Sequence, residues 1–285
     1  MVISIIGAGI MGKGIASNAA RNGHHVRIYT RSRAKIEDIL GPGIEYFGKP
    51  EEAVTGAELT VVCLTEDHVV RAIVLSESFL SAISGSVMDV GTTSPELTDE
   101  LFRAFDKRGI RFFDAPMTGS KQAARDGKIL FMMGGSDDDY AAGKPVFDSA
   151  GRAVVRCGKI GDGQRAKIAL NMVQAGTLQI LIEGYHLSSL LGIEKTTFKE
   201  ILDQSAARSG ISDFKTPFFL DRNYETNFSL KNMNKDLNHA LSLAMSVRAE
   251  LPSAFALKAV FDRAMNLGNA EKDFCSIADA TLNAD

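Results

Sequence analysis

The sequence has few cysteines, no long hydrophobic run and no excess of one charge. Its three cysteines, Cys63, Cys157 and Cys275, lie far apart and form no CxxC pair. This spacing argues against a disulfide framework or a zinc site and favours reduced thiols in a cytoplasm. The histidines also lack a carboxylate or cysteine at ligand spacing, so we expect no metal site.

The charge and the apolar segments exclude other classes. The formal net charge is −3, with acidic and basic residues interspersed, so nothing favours a broad attraction to nucleic acid or to an anionic membrane. The apolar start, Val2 to Ile6, is too short for a membrane span and is followed by glycines rather than by a cleavage-type segment. We therefore expect a cytoplasmic protein whose partners are small molecules.

The first 158 residues alternate short β-rich runs with helical segments, which predicts βαβ units and a parallel sheet. The predicted strands are Val2 to Ile6, His25 to Thr30, Leu59 to Leu64, Ser86 to Val90, Arg111 to Asp114, Ile129 to Met133 and Ala153 to Cys157. Asp137, Asp138 and Asp139 form an acidic cluster typical of a helix start.

Beyond Gly158 the strand-like runs stop, and apolar residues recur at helical spacing from Gln164 to Leu191. A helix of that length is long enough to leave one domain and form the spine of another. We expect two domains, 1–160 and 161–285, with a hinge between Gly158 and Gly163. Further helices are predicted at Thr196 to Gln204, Leu230 to Glu250, Ser253 to Leu267 and Asp273 to Asp279.

A glycine motif follows the first predicted strand and precedes a helix. It consists of Gly7, Ala8, Gly9, Ile10, Met11 and Gly12. Glycines at these points allow a tight turn, let the backbone approach a pyrophosphate and pack the helix on the strand. The unpaired N–H groups of the helix N-terminus then face anionic oxygens. The motif predicts a dinucleotide site.

The second predicted strand lacks the carboxylate that normally accepts hydrogen bonds from the ribose hydroxyls of NAD. It ends instead in Thr30, Arg31 and Ser32. Arg31 can pair with a 2′-phosphate, and the two hydroxyls can donate to it. The sequence therefore favours NADP(H).

Two more stretches carry candidate chemistry. Thr118, Gly119 and Ser120 follow the predicted strand that ends at Asp114, and their hydroxyl and N–H groups suit a small carboxylate. Lys167 lies four residues before Asn171 on the long predicted helix, so the two side chains share one face. An ammonium held by a neutral amide can give a proton to a carbonyl oxygen, as hydride transfer to an aldehyde requires.

These stretches, with Lys235-Asp236-Leu237 after them, resemble the β-hydroxyacid dehydrogenase family over nearly the whole chain. That family includes 3-hydroxyisobutyrate dehydrogenases and glyoxylate/succinic semialdehyde reductases. The resemblance implies an α/β fold: an N-terminal Rossmann-type doubly wound sheet joined by a long interdomain helix to an all-α C-terminal domain, with substrate in the cleft between them. The runs after Thr118 and after Leu230 look more like the glyoxylate/succinic semialdehyde branch.

The resemblance also implies roles for single residues. Lys167 would be the catalytic acid/base and Asn171 its partner, while Thr118 and Gly119 would hold the substrate carboxylate. The remaining positions match other contacts of that family: Phe228 and Asp236 at the substrate, Thr92 beside the nicotinamide, Leu64 and Thr65 along the cofactor, and Lys235 at the cofactor phosphates or the substrate carboxylate.

This chain departs from the family pattern at two positions. Gly91 stands where a serine is common, so one hydroxyl near the nicotinamide is missing. Thr118 replaces the commoner serine, and its extra methyl narrows the carboxylate pocket. One methyl changes discrimination between substrates by roughly 1–3 kcal/mol, which leaves substrate size open.

We expect an NADPH-dependent reductase of a small aldehyde acid, with glyoxylate and succinic semialdehyde as leading substrates. One alternative is a 3-hydroxyisobutyrate-type dehydrogenase. The family's imine reductases usually replace the catalytic lysine, and its chromatin-associated member lacks it, so Lys167 argues against an imine reductase and against a non-catalytic cofactor-sensing interaction protein. Apolar stripes on the C-terminal helices predict a dimer or tetramer.

Overall fold

A computed structural model describes residues 1–282 of the chain. The chain divides into two compact units, one of residues Met1–Lys167 and one from Ile168 onward. The predicted second domain begins at residue 161 and runs to residue 285, and residues 283–285 lie outside the described part.

The first unit contains a sheet of nine strands within the described residues. The strands are β1 Val2–Ile6, β2 His25–Tyr29, β3 Ile44–Phe47, β4 Leu59–Val62, β5 Ser86–Asp89, β6 Phe112–Asp114, β7 Met117–Thr118, β8 Ile129–Gly134 and β9 Gly151–Gly158. Their order is β3-β2-β1-β4-β5-β6-β8-β7, and β9 pairs with β8. Strands β1 to β6 are mutually parallel where they pair. This is the doubly wound order of the Rossmann fold.

Helices connect these strands and cover both faces of the sheet. They are α1 Ile10–Arg21, α2 Pro50–Val54, α3 Asp67–Val74, α4 Glu77–Ala82, α5 Pro95–Asp106, α6 Lys121–Arg125 and α7 Asp137–Ala150. Neighbouring residues of β4 belong to the hydrophobic clusters on the two faces of the sheet. Val61 lies in the cluster with α1 and α7, and Val62 lies in the cluster with α3 and α5. Successive strand side chains point to opposite faces, so a strand buried on both sides is apolar throughout.

The predicted strands are found with small shifts at their ends, but β3 and β7 were not predicted. β7 has only two residues, and β3 has four of which only Ile44 is buried. Neither gives the continuous apolar run of the equally short strand β4, which is buried throughout. The predicted acidic helix start is confirmed. Ser136 and Asp139 form a capping box at α7, with the Ser136 N–H donating to Asp139 over 2.8 Å.

The second unit is helical within the described residues. Its elements are α8 Asp162–Leu190, which begins in the first unit, α9 Lys195–Asp203, α10 Gly210–Leu220, α11 Leu230–Ser246, α12 Pro252–Asn266, a 3₁₀ turn Phe274–Ser276 and α13 Ile277–Leu282. Its core gathers large side chains from these helices, among them Ile182, Phe219, Leu237 and Phe261.

Three elements of this unit differ from the prediction. Helix α10 was missed because Gly210 and Pro217 interrupt its pattern, although Ser209 and Ser212 form a capping box at its start. The helix predicted to reach Glu250 ends at Ser246, before Arg248 takes a positive φ of 56°. The predicted Asp273 to Asp279 helix is a 3₁₀ turn followed by α13. None of the helices in residues 1–282 is both long and apolar enough to cross a membrane.

Candidate active site

The glycine motif forms the turn between β1 and α1, at the carboxyl end of the sheet. Gly7 has a φ of 108°, and a Cβ there would overlap the carbonyl oxygen of Cys63. A Cβ at Gly12 would overlap the carbonyl oxygen of Gly7, so this glycine permits the close packing of α1 on the turn.

Gly9 differs from the other two glycines because a Cβ there would meet nothing within 4 Å. It is the N-cap of α1 and has no side chain, so it does not cap the first N–H groups of the helix with a side-chain hydrogen bond. The space above it and the exposed helix N-terminus fit the pyrophosphate of a dinucleotide. Ile10 and Met11 form the first turn of the helix. The loop also lies at the switch point of the sheet, between β1 and β4, where ligands bind in such folds.

The end of β2 presents a free cation. Thr30 is buried, Ser32 is half-buried and Arg31 is exposed. Within residues 1–282 no ion pair to Arg31 is found, whereas the nearby Asp38 is bound by Lys13 at 2.5 Å. This hydrogen bond holds the pKa of Asp38 below its ordinary value. Arg31 is thus available to an external anion.

The loops after β4 and β5 approach each other closely. Leu64 is half-buried and Thr65 exposed in the first loop, and Thr92 is half-buried in the second. A Cβ at Gly91 would overlap the carbonyl oxygen of Leu64. The missing hydroxyl at Gly91 therefore has a physical reason, since this backbone leaves no room for a serine side chain.

Two buried carboxylates, Asp89 and Asp114, end adjacent strands behind these loops. Asp89 accepts from the N–H of Gly91 at 3.0 Å and from the hydroxyl of Thr93 at 3.1 Å. Asp114 accepts from the N–H groups of Gly161 at 2.6 Å and Gln164 at 2.8 Å. Asp89 thus shapes the loop after β5, and Asp114 caps the start of α8.

Burial dominates the protonation of both carboxyls. It raises the pKa of Asp89 to about 7, and the nearby charge of Asp114 acts in the same direction. Burial also raises the pKa of Asp114 to about 6, although the N–H donors of Gly161 and Gln164 oppose it. Motif analysis did not assign either residue. The available signal was an acid at the end of a buried strand followed by a turn.

The raised pKa of Asp89 predicts a pH-dependent stability. Its ordinary value is 3.8 and its folded value about 7, so the folded state binds more protons between these values. The stabilisation from this group is present at low pH and is lost as the pH rises through about 7. Asp89→Asn keeps a neutral side chain at every pH. We expect its free energy of unfolding, relative to wild type, to rise by about 2–4 kcal/mol between about pH 5 and pH 8.

Urea unfolding of both proteins at the two pH values measures this difference. Asp106→Asn, at an exposed position on α5, controls for the loss of one negative charge. If the difference in the free energy of unfolding between Asp89→Asn and wild type does not change with pH, the raised pKa of Asp89 is contradicted.

The Thr118, Gly119 and Ser120 stretch leaves the sheet at β7. Thr118 pairs with Leu130 of β8 and is half-buried, while Gly119 is exposed. Ser120 is the N-cap of α6, and its hydroxyl oxygen accepts from the N–H of Ala123 at 3.1 Å. The same hydroxyl keeps its own proton to donate. The stretch presents polar hydrogen-bond donors, as a carboxylate site requires.

Lys167 lies in α8, one turn beyond the capped start of the helix. Only 7% of the residue is exposed, which is rare for lysine. Asn171 follows one turn later on the same helix and is also buried. The solvated position typical of a lysine on an amphipathic helix is therefore excluded.

The second unit brings together three of its predicted site residues. The Asn171 amide donates to the Asp236 carboxylate at 2.6 Å, and Lys235 donates to its other oxygen at 2.7 Å. Asp236 is completely buried and Lys235 partly exposed. Phe228 is half-buried and packs edge-on against Phe274, with ring centroids 6.4 Å apart. The hydrogen bonds from Asn171 and Lys235 make Asp236 the centre of a polar cluster.

A second ion pair in this unit was not predicted. Lys215 binds Asp273 at 2.7 Å, with both side chains almost fully buried. Asp273 also accepts from the backbone N–H groups of Asn227 and Phe228. The pair therefore fixes the segment that carries Phe228. The Lys215 ammonium lies over the aromatic rings of Phe214 and Phe274.

The sheet order, the open glycine loop at its switch point and the buried lysine define a dinucleotide-binding protein of the dehydrogenase type. Two family models match the chain. Residues 2–158 match the NAD binding domain of 6-phosphogluconate dehydrogenase. Residues 161–281 match the model described as the NAD-binding domain of NADP-dependent 3-hydroxyisobutyrate dehydrogenase. The chain belongs to the β-hydroxyacid dehydrogenase family of NAD(P)-dependent oxidoreductases.

The chain is also similar to individual proteins. The chain is 29% identical to the chloroplastic glyoxylate/succinic semialdehyde reductase 2 of Arabidopsis thaliana, over 98% of this chain and 78% of that protein. It is 30% identical to the cytokine-like nuclear factor N-PAC of Xenopus tropicalis, over 99% of this chain and 53% of that protein, so it spans about half the length of this relative.

The fold also matches a solved structure. The crystal structure of 3-hydroxyisobutyrate dehydrogenase from Salmonella typhimurium superposes on this chain with a TM-score of 0.90. The two are 22% identical, and the match covers 98% of this chain and 99% of that one. At this identity the likeness shows the fold alone. This likeness confirms the predicted fold class, and the two family models confirm the predicted family.

Proposed function

We propose that this protein is an NADPH-dependent reductase of small aldehyde acids, which it converts to hydroxy acids. Glyoxylate and succinic semialdehyde are the leading substrates, by similarity to the relative of that name. The observation that carries the proposal is the burial of Lys167 at the start of α8, in the unit that also presents the glycine loop. The alternative is oxidation of a hydroxy acid of the 3-hydroxyisobutyrate type.

The cofactor is proposed to lie along the carboxyl ends of the parallel strands. When bound, its reduced nicotinamide supplies the hydride. Gly9 leaves room for the pyrophosphate, while Gly7 and Gly12 allow the tight turn and the close packing of α1 beside it. Ile10 and Met11 begin the helix whose N-terminus faces the pyrophosphate. Arg31 pairs with the 2′-phosphate while Thr30 and Ser32 add hydroxyl bonds. The further cofactor contacts proposed are Leu64, Thr65, Thr92 and Lys235.

Lys167 is the proposed general acid. Its ammonium donates a hydrogen bond to the carbonyl oxygen of the aldehyde and transfers a proton to that oxygen as the carbonyl carbon gains the hydride. The product is the hydroxy acid, and the lysine is left as a neutral amine. Solvent returns the proton before the next turnover. The reverse reaction would use the neutral amine as the base.

Other side chains orient the reactants. Thr118, Gly119 and Ser120 are proposed to bind the substrate carboxylate through hydroxyl and N–H donors. Asn171 donates its amide N–H to Asp236, and we propose that its amide oxygen accepts from the Lys167 ammonium. Phe228 and Asp236 are proposed to bound the substrate site. Holding the reactants in one orientation can supply several kcal/mol of the barrier, roughly 7–11 in favourable cases.

A substrate panel tests the proposed function. NADPH and NADH consumption is measured with glyoxylate, succinic semialdehyde and a cyclic imine, and without substrate; the reverse direction is measured with 3-hydroxyisobutyrate. We expect the highest kcat/KM for NADPH with one of the aldehyde acids. Turnover confined to the imine would contradict the proposal. Binding of NADPH with no turnover of any compound would indicate the non-catalytic cofactor-sensing interaction protein instead.

We further propose self-association into a dimer or tetramer and a cytoplasmic location. Val173, Ile180 and Leu187 are spaced by seven residues along α8 and are each more than half exposed. Such a stripe is typical of a helix that packs against another helix. The three cysteines are free thiols, which supports a reducing compartment.

A further inference from the structure

Gln164 joins two segments of the first unit that the proposed reaction uses. Its side chain is completely buried in the first turn of α8. The amide oxygen accepts from the N–H of Thr93 at 3.2 Å, and the amide N–H donates to the carbonyl oxygen of Gly91 at 3.0 Å. These two backbone groups flank Thr92, so one carboxamide holds the loop after β5 on both sides of that residue.

The backbone of Gln164 is held independently. Its N–H donates to Asp114 at the end of β6, as does the N–H of Gly161. Asp89 supports the same arrangement from β5, because it accepts from the Gly91 N–H and lies 3.4 Å from the Gln164 amide nitrogen. The first turn of α8 is therefore fixed to the sheet by its main chain and to the Thr92 loop by its side chain.

Lys167 follows Gln164 by three residues, which places it about 4.5 Å further along the helix axis and on a neighbouring part of the same face. A helix turn moves as a unit, so a shift of Gln164 also shifts the ammonium of Lys167. A misplacement of about 1 Å at a reacting group can lower a rate by roughly 10²-fold.

We propose that Gln164 is a positioning residue that couples the Gly91–Thr93 loop to the helix carrying Lys167, so that the proton donor keeps a fixed position relative to that loop. The proposal rests on the proposed function, since it gives Lys167 the role of general acid. A neutral carboxamide suits this task because it has one acceptor and one donor side in a fixed plane. Glutamate would keep only the acceptor, and methionine would keep the length without either bond.

The test is a double-mutant cycle of Gln164→Met and Lys167→Ala. We expect Gln164→Met alone to lower kcat about 10- to 100-fold, with the KM for NADPH changed less than about threefold. In the Lys167→Ala protein the same substitution should change kcat by less than about twofold, because residues that act as a unit are not additive. Gln164→Glu should give an intermediate kcat.

A measurement without cofactor or turnover accompanies the cycle. Amide hydrogen exchange of the apo-protein should show faster exchange at Thr93 in Gln164→Met, because its N–H has lost its acceptor. Thr98→Val is the matched control. Thr98 is buried, and the hydrogen bonds that its hydroxyl makes within residues 1–282 go to Thr93 and Ser94 rather than to α8. We expect its kcat to stay within about threefold of wild type, since no bond to the helix is lost.

The outcomes separate the two proposals. A Lys167→Ala protein with near wild-type turnover would overturn the proposed function, and the coupling with it. A defective Lys167→Ala protein in which Gln164→Met lowers kcat by its full factor would overturn the coupling alone, as would unchanged exchange at Thr93. If Gln164→Met does not fold, Gln164→Glu replaces it in the kinetic cycle, and a loss of kcat that persists in full in Lys167→Ala would again overturn the coupling. Exchange at Thr93 is not a criterion for this variant, because glutamate keeps the acceptor of the Thr93 N–H.

Discussion

Lys167→Ala is expected to lower kcat for aldehyde-acid reduction by about 10²- to 10⁴-fold, the range that a lost general acid produces. The substitution removes the proposed proton donor while leaving the glycine loop and the capped start of α8 in place. The KM for NADPH should change little, because the proposed cofactor contacts lie on other residues. Steady-state kinetics at saturating NADPH, with circular dichroism to confirm folding, measure the effect.

Two variants make this result specific. Lys167→Met keeps most of the buried stem and should lose activity as strongly as alanine, since charge rather than packing is required. Lys199→Ala removes a partly exposed lysine that pairs with Asp203 on α9, and it should retain wild-type turnover. If the methionine variant stays active while the alanine variant is inactive, Lys167 serves packing and the proposed acid is wrong.

The fold was predictable from the sequence because its signals are local. The glycine motif, the apolar strands and the long periodic stretch each occupy fewer than about thirty consecutive residues, and each pattern has a direct structural meaning. The elements that escaped prediction are short or interrupted. β7 has only two residues, β3 is largely unburied and so lacks a continuous apolar run, and Pro217 interrupts the pattern of α10.

The polar network behind the candidate site could not be predicted in the same way. Asp114 and Gln164 are 50 residues apart, and Asp89 and Gln164 are 75 apart. Only the parallel alignment of β5 and β6 brings the two carboxylates close to the start of α8. A sequence reveals that an acid ends each strand, but it does not reveal which N–H groups that acid caps. The positioning residues therefore become visible only in three dimensions.

In the second unit, too, local sequence signals were predictable and contacts between distant residues were not. The resemblance drew attention to Asp236 and Lys235 as ligand-binding residues, and the structure adds that both bind within one cluster with Asn171. By contrast, no sequence motif assigned a role to Lys215, and its burial against Asp273 is a tertiary effect. Loss of one partner of a charged pair buried in this way is strongly destabilising, so we expect substitution of Lys215 alone to destabilise the second unit.

Arg31→Glu is expected to lower kcat/KM for NADPH by about 100-fold and to leave or improve kcat/KM for NADH. Charge-assisted hydrogen bonds contribute roughly 1.5–3 kcal/mol each, and a carboxylate at this position would also repel a 2′-phosphate. The same carboxylate can accept hydrogen bonds from the ribose hydroxyls of NADH, as an acid at the end of the second strand does in NAD-binding proteins. Initial rates with each cofactor at saturating substrate measure the switch.

The control reverses a charge elsewhere on the same unit. Arg103 is exposed on α5, and Arg103→Glu changes the net charge by the same amount as Arg31→Glu. Because exposed charges separated by more than a Debye length of about 10 Å are largely screened, this control should leave the ratio of the two cofactor efficiencies unchanged. Equal losses with NADPH and NADH in Arg31→Glu would contradict the proposed contact between Arg31 and the 2′-phosphate.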